Sequence, residues 1–156
     1  MVLSACAPDS IPTPSQPATP TRTITVEPKP APGTLIVRVG DATFAADVAD
    51  DTAERAVGLS GRDSLADGAG MWFAYLDEAQ RSFWMRGMQF PIDIIWINAS
   101  LEVVDVTHRA PVPESDTLSD LPIYSPNTPV MYVLEINAGL ALERGIEPGT
   151  VVTVHE

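Results

Sequence analysis

Phe83-Trp84-Met85-Arg86-Gly87-Met88-Gln89-Phe90-Pro91-Ile92-Asp93-Ile94-Ile95-Trp96-Ile97-Asn98 sets charged and turn-forming residues inside an otherwise apolar run. Ile92 to Ile97 reads as a strand, rich in branched and aromatic side chains. Arg86 and Asp93 are therefore placed near buried surface. A carboxylate wedged between Ile92 and Ile94 loses much of its hydration unless a cation or several donors compensate it. The expected cation is Arg86 or Arg62, within salt-bridge reach of Asp93.

Working outward, Leu35 to Val39 and Phe44 to Val48 flank the turn signal Gly40-Asp41 and predict a hairpin. Asp51-Thr52-Ala53-Glu54 fits a capping box, so a helix follows with Ala53, Val57 and Ala56 facing inward, ending near Leu59. Gly70 to Tyr75, Ser82 to Met85, Leu101 to His108 and Val130 to Ile136 read as further strands. A short helix is expected over Ala138 to Arg144, with Asn137 as N-cap and Gly145 as stop. After a turn at Glu147-Pro148-Gly149-Thr150, Val151 to Val154 closes the sheet. Residues 110 to 129 hold five prolines and form a long loop. Short antiparallel strands with two short helices predict an α+β fold, mostly antiparallel β, in which the sheet curls into a small barrel or sandwich to protect its edges.

The composition sets limits around this core. A chain of 156 residues, 45% apolar, suits one folded domain, here residues 34–156. Its formal net charge is -12, and its nine basic residues form no cluster. Nucleic acid and anionic lipid surfaces, which need clustered positive charge, are poor partners. Cys6 is the one cysteine, so no intrachain disulfide forms and no thiolate serves a metal site in the folded part. Leu3-Ser4-Ala5-Cys6 resembles the lipobox of bacterial lipoproteins, which implies lipidation of Cys6 and a signal remnant over residues 1–6. The charged and apolar regions of a secretory signal are missing ahead of Leu3. The alternative is a tail with an incidental cysteine. Residues 7–33 carry eight of the fifteen prolines among Thr, Ser and Ala, and read as a disordered linker. The resulting expectation is an exported domain of the cell envelope, held at a membrane only through its N-terminal lipid anchor, and a monomer.

Glu54-Arg55 with Gly58-Leu59 and Arg62, Gly70-Met71 with Phe73, Phe83-Trp84-Met85-Arg86, Pro91-Ile92-Asp93-Ile94-Ile95, and Val133-Leu134-Glu135 with Ala138-Gly139 occur in an order that resembles the domain of unknown function 192 family. The resemblance covers nearly all of Leu35 to Val154. Where that family has Asn-Thr after the Trp-Met-Lys/Arg block, this chain has Gly87-Met88, and Ser60 stands where the family has Met.

Four of the seven arginines in the folded part, Arg55, Arg62, Arg81 and Arg86, fall within residues 55 to 86. Guanidinium forks suit carboxylates and phosphates. The candidate ligand-binding set is Arg62, Trp84, Arg86, Asp93 and Glu135, with Trp84 as a stacking wall. The same arginines have an alternative role in neutralising buried acids. Asp93 with Glu135 could serve as a catalytic carboxylate pair, and Asp105 with His108 as an oriented base. Residues three apart on a strand point to opposite faces, which argues against the second pair. No metal or cofactor motif is present. The leading expectation is a non-enzymatic binding domain for a small anionic ligand, glycan or envelope protein. The rival is a hydrolase or isomerase using Asp93 or Glu135 as acid or base.

Overall fold

The computed structural model describes residues 33–155. Cys6 and the proline-rich stretch through Pro32 lie outside these residues. The elements run β1 (Thr34–Val39), β2 (Ala42–Ala49), α1 (Thr52–Val57), β3 (Ala69–Ala79), β4 (Phe83–Trp84), β5 (Ile92–Ile97), β6 (Val103–Ala110), β7 (Ile123–Tyr124), β8 (Val130–Asn137), α2 (Leu140–Glu143) and β9 (Val152–His155). Seven strands form one sheet in the order β6-β5-β8-β3-β2-β1-β9, while β4 and β7 make a small second sheet. Every pairing is antiparallel except β2 with β3. Parallel neighbours need a crossover of about a dozen residues or more, and α1 with the loop to Gly68 supplies it.

The sheet curls into a half-barrel because its two edges meet at one end. Val103 N–H donates to the Thr150 carbonyl (2.9 Å), Gly149 N–H to Val103 (2.8 Å) and Val152 N–H to Leu101 (2.8 Å). Val103 and Val152, from the two edge strands, both join the core on the enclosed face with Val39, Phe44, Trp72, Ile95 and Leu134. The opposite face carries a second core of Phe73, Met85, Met88, Ile92, Ile94, Trp96 and Val133. Strand alternation sorts β5 between them, and all six of its residues are buried.

Two helix expectations are corrected. Ala53, Ala56 and Val57 are exposed rather than inward, and α1 buries none of its residues. At six residues α1 is too short to carry an apolar stripe. It is held instead by the expected capping box of Asp51 and Glu54, and by buried Leu59 just past its end. The second helix spans Leu140–Glu143 only, and Asn137 does not cap it. Asn137 remains in β8 and its side-chain amide donates to the Leu65 carbonyl at 2.9 Å.

The cap comes from Asp93. Its Oδ2 accepts from Gly139 N–H (2.8 Å) and Ala141 N–H (2.9 Å), while Oδ1 accepts from Arg109 N–H (2.7 Å). The expected guanidinium partner is therefore wrong: Asp93, wholly buried, is compensated by three amides. Several amide donors aimed at one carboxylate make charge-assisted hydrogen bonds, which answer its lost hydration without a counter-ion. Replacing Asp93 with Asn turns one acceptor into a donor facing an amide. Asp93→Asn should lower unfolding free energy by about 3 kcal/mol or more in urea titration; a loss under about 1 kcal/mol would mean that this cradle holds little together.

Candidate functional site

Glu135 lies on β8 directly opposite Met71 of β3 and Ile94 of β5, and so faces the second core. It is 5% exposed. Among the described residues its carboxyl has no ion pair and no hydrogen bond from a side chain or amide. Burial alone pushes its pKa from 4.5 up to about 8. The carboxyl is thus a neutral acid at pH 7, able to donate a proton to an acceptor.

A recess of about 80 Å³ reaches Glu135 from the surface. Arg55, Ser60, Phe73, Tyr75, Ser82, Phe83 and Trp84 are among the residues that line it. Phe73 and Phe83 meet edge to face at 4.9 Å, and Phe83 meets Trp96 in the same way at 5.4 Å, so the aromatic wall is fixed by packing. The guanidinium carbons of Arg55 and Arg81 lie 4.9 and 3.9 Å from the centre of the Tyr75 ring. Burial raises the Tyr75 pKa, and Glu135 adds to the rise, while Arg81 and Arg55 pull it down. Ser82 Oγ and Ser125 Oγ are 2.8 Å apart, and Ser60 Oγ donates to the Arg86 carbonyl at 2.7 Å. Neither serine is hydrogen-bonded to a base.

The five candidate residues do not converge. Trp84 and Glu135 share the recess. Arg62 pairs with Asp47 at 2.8 Å in a separate surface groove. Arg86 is exposed, in a shallow depression with Ala56, Val57, Ser60, Trp84 and Gly87. Asp93 is enclosed on the other side of the sheet, both oxygens occupied. Asp93 and Glu135 therefore form no pair. Nor do Asp105 and His108: Asp105 Oδ2 accepts from the Asn127 backbone N–H (3.3 Å) and side-chain amide (3.2 Å), and His108 is exposed. Among the described residues no group of three metal-ligating side chains gathers.

Tyr75, Arg55 and Ser82 are recess residues that the sequence reading did not select. Tyr75 shares the face of Phe73 and Met71 by alternation, a usable signal. The pairing of β3 with β8, which brings Glu135 to that face, joins residues too distant in sequence to be read from pattern. Gly87-Met88 also acquires a structural explanation. Gly87 has φ 70, its N–H donates to Asp116 Oδ1 at 2.9 Å, and Met88 is buried in the second core. Asn tolerates that left-handed conformation as Gly does, so either residue permits the turn.

The fold and the recess define a class: a small half-barrel domain with a buried carboxyl at the floor of an aromatic-walled recess. The chain belongs to the domain of unknown function 192 family, an uncharacterized ACR, whose profile matches residues 35–154. It is similar to a protein of unknown function from Novosphingobium aromaticivorans, with 31% identity, a TM-score of 0.71, and 87% of this chain and 99% of that one covered. It is also similar to a Sinorhizobium meliloti protein provisionally described as a transcription regulator, at 27% identity, a TM-score of 0.69, and coverage of 83% and 98%. No curated protein matches.

The Glu135 pKa makes stability depend on pH. Raised in the folded state, it leaves that state holding more protons than the unfolded chain between pH 4.5 and about 8. Its contribution is therefore full below pH 4.5 and lost as pH rises to about 8, a decline of roughly 1.4 kcal/mol per unit within that window. Glu135→Gln should flatten this slope in denaturant melts at stepped pH; an unchanged slope would show that Glu135 ionises normally.

Proposed function

We propose that this chain is a non-enzymatic binding domain, tethered in the cell envelope, that takes the anionic end of a small ligand or of an envelope protein into the Glu135 recess. Glu135 carries the reading: a buried, unpaired carboxyl that is protonated at neutral pH donates to an anionic oxygen and brings no opposing charge. Arg55 adds a positive charge to the lining, and Tyr75 a hydroxyl donor. The recess is far smaller than the several hundred Å³ of a drug-sized pocket, which favours a carboxylate over a whole sugar ring. The lipobox-like Cys6 and the proline-rich stretch behind it support the envelope address.

A second reading has one observation in its favour. A carboxyl with its pKa near 8 inside a recess also suits a general acid or base. Catalysis would have to do without an oriented partner, since Ser82 engages Ser125 and no histidine lines the recess. Asp93 drops out of this reading, its oxygens saturated by amides.

Titration with sodium acetate and sodium propionate, followed by amide chemical shifts, tests the binding reading. Shifts should cluster at Ser60, Tyr75 and Ser82 and fade above pH 8, where ionised Glu135 repels the anion. Glu135→Gln keeps a donor and should hold binding constant across that range. Shifts elsewhere, or binding that strengthens above pH 8, would sink it. Ester or glycan turnover abolished by Glu135→Gln would establish the catalytic reading instead.

A further inference from the structure

An exposed apolar surface extends outward from the mouth of the recess. In the small sheet, Phe83 is paired with Tyr124 and Trp84 with Ile123. Directly opposed residues of an antiparallel pair point the same way. Phe83 and Tyr124 pack on the second core, so Trp84 and Ile123 point outward, 50% and 69% exposed. Val57, 59% exposed at the end of α1, lines the recess together with Trp84, and the two also share the adjoining depression with Arg86. Arg86 has no ion pair among the described residues. An unpaired cation beside two large exposed apolar side chains, Trp84 and Val57, stands out on a chain of net charge -12.

We infer that this surface and the recess together bind the C-terminal end of a polypeptide, with its carboxylate in the recess and the large apolar side chain of its last residue on Trp84, Val57 and Ile123. This deepens the binding reading and rests on its premise that the recess takes a carboxylate. Size supports the choice. About 80 Å³ is well below the several hundred Å³ that enclose a drug-sized ligand, so the greater part of a larger ligand would lie outside, on the rim. The exposed apolar side chains at the rim are Trp84, Val57 and Ile123, with Ser60 and Arg86 beside them in the adjoining depression. Arg86 lies where an acidic residue a few positions upstream could meet it, and charge complementarity then disfavours a basic tail. A membrane surface would need several basic residues together, whereas the depression has one.

Fluorescence suits the test, because Trp72 and Trp96 are 3% and 0% exposed and leave Trp84 as the solvent-facing reporter. The full chain is titrated with the acetylated peptide Gly-Asp-Ala-Leu-Phe bearing a free C-terminus, with its C-terminal amide, and with sodium acetate. The free acid should bind at least about tenfold more tightly than the amide or acetate. Trp84→Ala should weaken the acid peptide about tenfold, read by calorimetry, while acetate still shifts the Ser60, Tyr75 and Ser82 amides. Arg86→Glu, at an exposed position, should reduce peptide binding without lowering Tm. Equal affinity for acid and amide, or a peptide no tighter than acetate, overturns this inference and leaves the recess reading standing. Failure of acetate to reach the recess overturns both.

Discussion

The carboxylate of Asp93 is the interaction on which the rest of the architecture depends. From β5 it gathers amides at the end of β6 and at the start of α2, two places that sequence separates widely. Both places have unusual backbones. Arg109 adopts φ 51, and Gly139 adopts φ 90 where an added Cβ would stand 3.1 Å from an Arg109 guanidinium nitrogen. Left-handed conformations raise the local energy of non-glycine residues, so Arg109 needs something to hold it. A buried anion aimed at its N–H does so. The same anion supplies the cap that α2 lacks in its own sequence, at the positive end of the first turn.

With β6 and α2 fixed to β5, one end of the curled sheet is held. The edge strands come close enough to exchange hydrogen bonds, and exposed edges are thereby limited. Curling also leaves the second face outside the half-barrel. Its large apolar residues must be covered by something other than the sheet. Leu59, the Met85–Met88 turn and the proline-rich loop do this, with Asp116 and Asn127 tying the loop down. Coverage by irregular segments is less complete than coverage by a helix or a sheet, and the recess above Glu135 is where it remains open.

Much of this was legible in the residues. The hairpin, the capping box and the β5 strand lie in local pattern, where alternation and turn chemistry act within a few positions. The buried Asp93 was legible as a problem, because an acid between isoleucines needs compensation wherever it lies. Its solution was not legible, since backbone amides carry no mark in a sequence whereas Arg86 and Arg62 do. The inward stripe assigned to Ala53 and Val57 failed for a related reason: periodicity says which residues share a face, and only packing decides whether a six-residue helix buries any face. Glu135 was visible as a charge in an apolar strand, yet Tyr75 and Arg55 join it only through the β3–β8 register and the crossover.

The two buried acids are accommodated in opposite ways by this fold. Asp93 and Glu135 occupy adjacent strands, one position out of register, so that they face opposite sides of the sheet. On the enclosed side the acid meets amides and is satisfied within the chain. On the other side Glu135 meets Met71, Ile94 and an opening, and burial keeps it protonated. Strands on both sides hold its backbone, so the carboxyl is fixed at the floor of the recess. An anionic oxygen entering the recess would accept its proton in a hydrogen bond, so occupancy of the recess and stability of the folded chain would be coupled through one carboxyl.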